Sequence, residues 1–110
     1  MGKDGSLGEF EQLVLLALLR LGTNAYGVTV RREITERTGR DTAIGAVYTT
    51  LDRLEKKGFV SSCLGEPTAE RGGRAKRYYK IKAPGERALQ RSRETMNKMW
   101  DGLLPSPGLG

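Results

Sequence analysis

Hydrophobic spacing along this chain changes period twice. From Gly8 to Gly58 apolar residues recur at helical intervals, from Phe59 to Lys82 they alternate, and beyond Pro84 the helical interval returns. The first segment, "GEFEQLVLLALLRLG" (8–22), predicts a helix with Phe10, Leu13–Leu19 and Leu21 covering nearly its whole circumference. Such a helix is buried on most sides, by its own domain or by a second chain. Gly22 supplies its stop. The next, "TNAYGVTVRREITERTGR", predicts an amphipathic helix capped by Asn24 and ending at Gly39, with Tyr26, Val30 and Ile34 on one face. In "AIGAVYTTLDRLEKKG", capped by Asp41 or Thr42 and closed by Gly58, Ile44, Val47, Tyr48, Leu51 and Leu54 form the inward stripe. Opposite lie Gly45, Ala46, Thr49, Thr50 and Arg53, small residues apart from the arginine, so this helix can approach another object closely.

The alternating part reads as two strands. In "FVSSCLGE", Val60, Ser62 and Leu64 fall on one side and Phe59, Ser61 and Cys63 on the other; in "KRYYKIK", Tyr79 and Ile81 fall together. Between them "PTAERGGRA" has proline and glycine without apolar periodicity, as the tip of a long hairpin should. Three helices followed by a basic hairpin make a mainly α winged helix-turn-helix, expected over residues 1–82. Residues 83–104 then predict one C-terminal helix, opened by Pro84 and ended by Pro105 and Pro107, with 105–110 a flexible tail. Leu89, Met96 and Leu103 are spaced by seven, with Met99 and Trp100 between the last two. That seam has no partner left in so small a chain and is expected to pack on a second copy. Tyr26, Tyr48 and Tyr79 are expected in the core. Cys63 is expected to be an unreactive strand residue.

Composition narrows the chemistry. The 110 residues are 37% hydrophobic and 29% charged, which suits a single globular domain. The longest apolar run, Leu13–Leu19, is too short to cross a bilayer, and no signal pattern precedes it, so a cytoplasmic protein is expected. The single cysteine fits a reducing compartment. With no histidine and no grouped carboxylates, neither an enzyme nor a metal or other cofactor is expected. The net charge of +6 is concentrated: residues 66–82 hold six basic side chains against two acidic ones. Such asymmetry points to a polyanionic partner.

The sequence resembles the PadR family of bacterial transcriptional regulators. The resemblance runs from about Leu7 to Leu89 and rests on "LVLLALLRLG", "AYGVTVRREI", "GAVYTTLDRLEKKGFV" and "ERGGRAKRYYKI" in that order. A single helix after the hairpin matches the family's short subgroup. The resemblance implies a homodimeric repressor on an inverted-repeat operator, with the C-terminal helix contacting the partner's N-terminal helix. Phe10, Val14, Leu18, Leu89, Met96, Met99, Trp100 and Leu103 are then the expected dimer interface. It also implies that an aromatic effector can bind between subunits, where Trp100 is the candidate contact. Many members carry serine or threonine at the positions of Ala43 and Ala46, so Thr42, Thr49 and Thr50 are left to supply hydroxyls.

The expected DNA contacts follow. Gly45, Ala46, Tyr48, Thr49, Thr50 and Arg53 would enter the major groove or flank it, where arginine reads guanine with two hydrogen bonds. Arg71, Gly73 and Arg74 at the hairpin tip, continued by Lys76 and Arg77, would clamp phosphate or the minor groove. Double-stranded DNA is favoured over RNA because a helix fits a B-form groove and not a narrow A-form one. The alternative is a winged-helix module that binds an acidic protein surface and no DNA.

Overall fold

The computed structural model describes residues 6–65 and 75–103. Helix α1 spans Glu9–Leu21. Glu11, its third residue, reaches back so that one carboxylate oxygen accepts the Gly8 amide at 2.9 Å, pairing a donor that a helix start leaves open. The other oxygen accepts from Lys57 Nζ, also at 2.9 Å. The pair joins the first turn of α1 to the residue that closes the third helix.

Helix α2 spans Gly27–Thr38 after a short 3-10 turn at Gly22–Asn24. Its start corrects the expected cap. Tyr26 occupies the capping position, and the Thr29 hydroxyl accepts the Tyr26 amide at 3.0 Å while donating to the Asn24 carbonyl at 2.6 Å. Asn24 thus contributes its backbone rather than its side chain. Gly39 follows α2 with φ 74°, a left-handed stop open to glycine at little cost.

Helix α3 spans Ile44–Lys56, and neither Asp41 nor Thr42 caps it; Ala43 holds that position with no side-chain bond. Both residues instead tie down the preceding loop. The Thr42 carbonyl accepts Arg31 Nε at 2.5 Å, and Asp41 lies 3.8 Å from the Arg31 guanidinium. The inward stripe of α3 is also turned from the expected one. Val47, Thr50, Leu51 and Leu54 are buried, whereas Ile44 and Tyr48 are 38% and 47% exposed. Both stripes have helical spacing, and the packed one uses the short Thr50 where the bulkier tyrosine was expected.

Strands β1 (Val60–Leu64) and β2 (Arg77–Ile81) pair antiparallel, from Val60 opposite Ile81 to Leu64 opposite Arg77. The chain before α2 adds to the edge of this hairpin: Tyr26 bridges Tyr78, and the Tyr79 amide donates to the Ala25 carbonyl at 2.9 Å. Tyr79 is buried as expected. The core joins Val14, Leu15 and Leu18 of α1 to Val30 and Ile34 of α2, Val47, Leu51 and Leu54 of α3, and Phe59 and Val60.

Helix α4 spans Ala83–Trp100 with Pro84 in its first turn. It docks by its first half, where Gly85 and Ala88 are buried and Leu89 packs partly against the core. A side chain on Gly85 would collide with the Phe59 carbonyl oxygen and lie 3.0 Å from Ile81. From Arg93 onward α4 is exposed. It ends at Trp100, before the expected stop at Pro105, through a turn at 101–103 that includes Gly102 with φ 81°. No helix among the described residues is long and apolar enough to cross a membrane.

Burial pushes the Glu11 carboxyl up, but the Gly8 amide, Lys57 and Arg53 outweigh it and hold the group below its ordinary value. Folding therefore favours the charged form. The stabilisation is complete above the ordinary glutamate range, about pH 4.3, and is lost as pH falls through the lower folded value. Urea denaturation across acid pH should show this loss in the native chain. Glu11→Gln should cost about 1–3 kcal/mol near neutrality and flatten the acid limb; an unchanged acid limb would contradict the assignment.

Candidate nucleic-acid interface

The outward face of α3 is flat at its start and charged at its end. Gly45, Ala46, Thr49 and Arg53 are all exposed. An exposed arginine such as Arg53 can be occupied by a surface ion pair. Arg53 forms none among the described residues: Lys56 takes Asp52 at 3.3 Å, and Lys57 takes Glu11. Tyr48 borders this face, with its ring against the start of α2. Thr42 and Thr50 depart from expectation. Each is only 5% exposed, so neither offers a hydroxyl to a groove, and Thr49 is the threonine that α3 turns outward.

The loop end of the hairpin makes more contacts than a basic loop requires. Tyr26 and Tyr78 meet edge to face with ring centroids 5.4 Å apart, a favoured aromatic geometry. Lys76 Nζ lies 5.0 Å from the Tyr26 ring centroid, where the ring's negative face attracts a cation. Arg77 donates to the Ser62 hydroxyl at 3.0 Å, and that hydroxyl donates to Glu55 at 2.8 Å. Lys76 and Arg77 are both exposed and start the basic track from fixed positions. Arg71, Gly73 and Arg74 lie outside the described residues.

Residues 15–91 match the model of the transcriptional regulator PadR-like family. The chain belongs to the PadR-like family of transcriptional regulators. No curated protein sequence matches it. Among solved structures, a PadR family transcription regulator from hypervirulent Clostridium difficile is similar with a TM-score of 0.70 and 22% identity over 89% of this chain and 100% of that one. A PadR-like transcription factor from Bacteroides fragilis reaches a TM-score of 0.70 at 21% identity, over 82% of each chain. RosR of H. salinarum reaches 0.68 at 22% identity, over 94% of this chain and 84% of that one. At such identities the likeness is one of fold, and the fold is the winged helix of PadR-like regulators.

The PadR-like chain also carries an apolar surface away from α3. A groove of about 810 Å³ between α1 and α4 is lined by Leu16, Leu19, Leu89, Met96 and Trp100, among others. The expected dimer residues divide here. Met96, Met99, Trp100 and Leu103 are exposed, and Phe10 and Leu89 pack partly against the core. Val14 and Leu18 are corrected: both are buried within the monomer, so they have no surface left for a partner. Leu16 and Leu19 are the α1 leucines that the monomer leaves exposed, at 45% and 47%. In a run apolar from Leu13 to Leu19 the sequence offers no polar marker of the outer face. The Tyr26–Tyr78 contact, across 52 positions of chain, left no sequence signal either.

The aromatic contact can be weighed by substitution. Tyr26→Leu removes the edge-to-face pair and the cation contact together and should cost about 1–2 kcal/mol. Tyr26→Phe keeps the ring and should cost under about 0.5 kcal/mol. The midpoint of urea denaturation measures both; equal losses would mean that the hydroxyl, not the ring, holds the hairpin.

Proposed function

We propose that this PadR-like regulator binds double-stranded DNA as a homodimer and represses transcription from an inverted-repeat operator. The observation that carries the reading is the outward face of α3. Gly45, Ala46 and Thr49 leave little side-chain bulk between the helix axis and an approaching groove, and Arg53 stands at the end of that face without an ion-pair partner among the described residues. An α-helix fits the B-form major groove, and unpaired arginine suits a guanine edge. Tyr48, Lys76 and Arg77 take the flanking backbone, together with Arg71, Gly73 and Arg74. On this reading the positive excess of residues 66–82 is a clamp for phosphate.

The second copy docks on the groove between α1 and α4. Exposed Leu16, Leu19, Met96, Met99, Trp100 and Leu103 supply its apolar surface. Trp100 is where an aromatic effector would stack within that groove.

Arg53 and Arg74 should fail differently. Arg53→Ala should cost about 1–3 kcal/mol per lost base contact on a selected operator and much less on random DNA. Arg74→Ala should weaken both and lower the salt slope by about 0.9 per lost phosphate contact. Salt titrations of affinity on both DNAs measure this. Equal losses for Arg53→Ala would reassign it to backbone positioning, and an unchanged salt slope for Arg74→Ala would remove the clamp.

The dimer has its own test. Met96 and Trp100 are exposed in one copy, so replacing both with aspartate should leave the fold intact and separate the subunits. Light scattering with circular dichroism should show a helical monomer for the variant and a dimer for the native chain. A dimer that survives the double substitution would place the interface elsewhere.

A further inference from the structure

Tyr48 stands half exposed at the edge of the α3 face, yet its ring does not project freely. The phenol end rests on Gly27, the first residue of α2. A β-carbon built on Gly27 would fall 2.5 Å from the Tyr48 hydroxyl oxygen and inside the contact distance of Cε1 and Cζ. Gly27 is helical and buried, and its φ is not positive. Its backbone conformation therefore suits any residue, and the space taken by the tyrosine ring is what requires glycine here.

The backbone beneath the ring has little room to withdraw. Immediately before Gly27, the Tyr26 amide donates to the Thr29 hydroxyl at 3.0 Å, and that hydroxyl is tied to the Asn24 carbonyl. Ala25 and Tyr26 are in turn joined to β2 by the Tyr79 amide and the bridge to Tyr78. A methyl group at residue 27 would consequently displace the movable partner, the end of the Tyr48 side chain. None of the hydrogen bonds among the described residues uses the Tyr48 hydroxyl, so the ring is placed by packing while the hydroxyl keeps its capacity to donate.

We infer that Gly27 is a positioning residue for DNA contact: by lacking a side chain it seats the Tyr48 ring across the start of α2 and holds the phenol hydroxyl beside the outward face of α3. The inference rests on the DNA-binding reading above and adds to it a residue that touches no DNA itself. Helices α2 and α3 are then linked at the interface by one steric fit. A fixed ring presents its hydroxyl to a phosphate without first losing rotamer freedom on binding.

The test combines a cycle of variants with a spectroscopic readout that needs no DNA. Gly27→Ala, Tyr48→Ala and the double variant are titrated with a short duplex of random sequence at low salt, because a phosphate contact is independent of sequence. Gly27→Ala should weaken binding about tenfold when Tyr48 is present and less than about twofold in the Tyr48→Ala background. Fluorotyrosine is incorporated in parallel, and the Tyr48 resonance is assigned by its loss in Tyr48→Phe. That resonance should shift in DNA-free Gly27→Ala while the melting temperature stays nearly constant.

An unmoved resonance would overturn the seat itself. Equal loss of affinity in both backgrounds would mean that Gly27 acts by another route, and the inference would fall. A resonance that shifts in Gly27→Ala while the native protein binds no duplex would sink the DNA-binding reading and, with it, the purpose assigned to the seat.

Discussion

Helix α1 carries apolar side chains around nearly its whole circumference, and one copy of the chain covers only part of them. Val14, Leu15 and Leu18 are buried among α2, α3 and the hairpin, while Leu16 and Leu19 face outward beside α4. Each fully buried leucine or valine contributes about 1.5–3 kcal/mol relative to exposure, so the inward side of α1 organises the three-helix body. Its outward side remains as contiguous apolar surface of the kind that marks an interaction site. The Glu11 carboxylate adds direction to this packing, because its bond to Lys57 joins the start of α1 to the end of α3.

From that arrangement the two proposed surfaces separate cleanly. Helix α3 uses Val47, Thr50, Leu51 and Leu54 to pack inward, which leaves its small residues, Thr49 and Arg53 for a partner. Helix α4 is fixed by its first turns, with Gly85 pressed on the Phe59 carbonyl, and then extends beyond the core with Met96, Met99 and Trp100 exposed. One end of the fold thus presents a flat, polar helix face beside basic residues. Another presents an apolar groove. A regulator that grips DNA with two copies needs both, and here they are built on different helices, so a change at one leaves the other's chemistry intact.

Much of this was legible in the sequence. The switch from helical to alternating spacing near Phe59 gave the order of elements, and Gly22, Gly39 and Gly58 marked the three helix ends. What escaped was phase and long-range contact. A stripe through Ile44, Val47, Tyr48, Leu51 and Leu54 and one through Val47, Thr50, Leu51 and Leu54 share three residues, and spacing alone does not choose between them. In the fold Tyr48 lies outside the core with its ring against Gly27, a contact between two helices that the spacing within α3 does not encode. For α1 the difficulty was the reverse: every position from Leu13 to Leu19 is apolar, so Val14 and Leu18 looked as available to a partner as Leu16 and Leu19. The caps of α2 and α3 were misread for a third reason. Thr29 and Arg31 claim the backbone groups around Asn24 and Thr42, and those bonds depend on how the loops fold.

The central claim is that two copies of this chain read DNA together through α3. It is tested most directly by selecting bound sequences from a pool of random duplexes with the purified protein. A dimer that presents two α3 helices by two-fold symmetry should enrich an inverted repeat, its half-sites centred about one helical turn apart or a whole multiple of it. Enrichment of a single half-site without its mate, or of no sequence at all, would contradict the account.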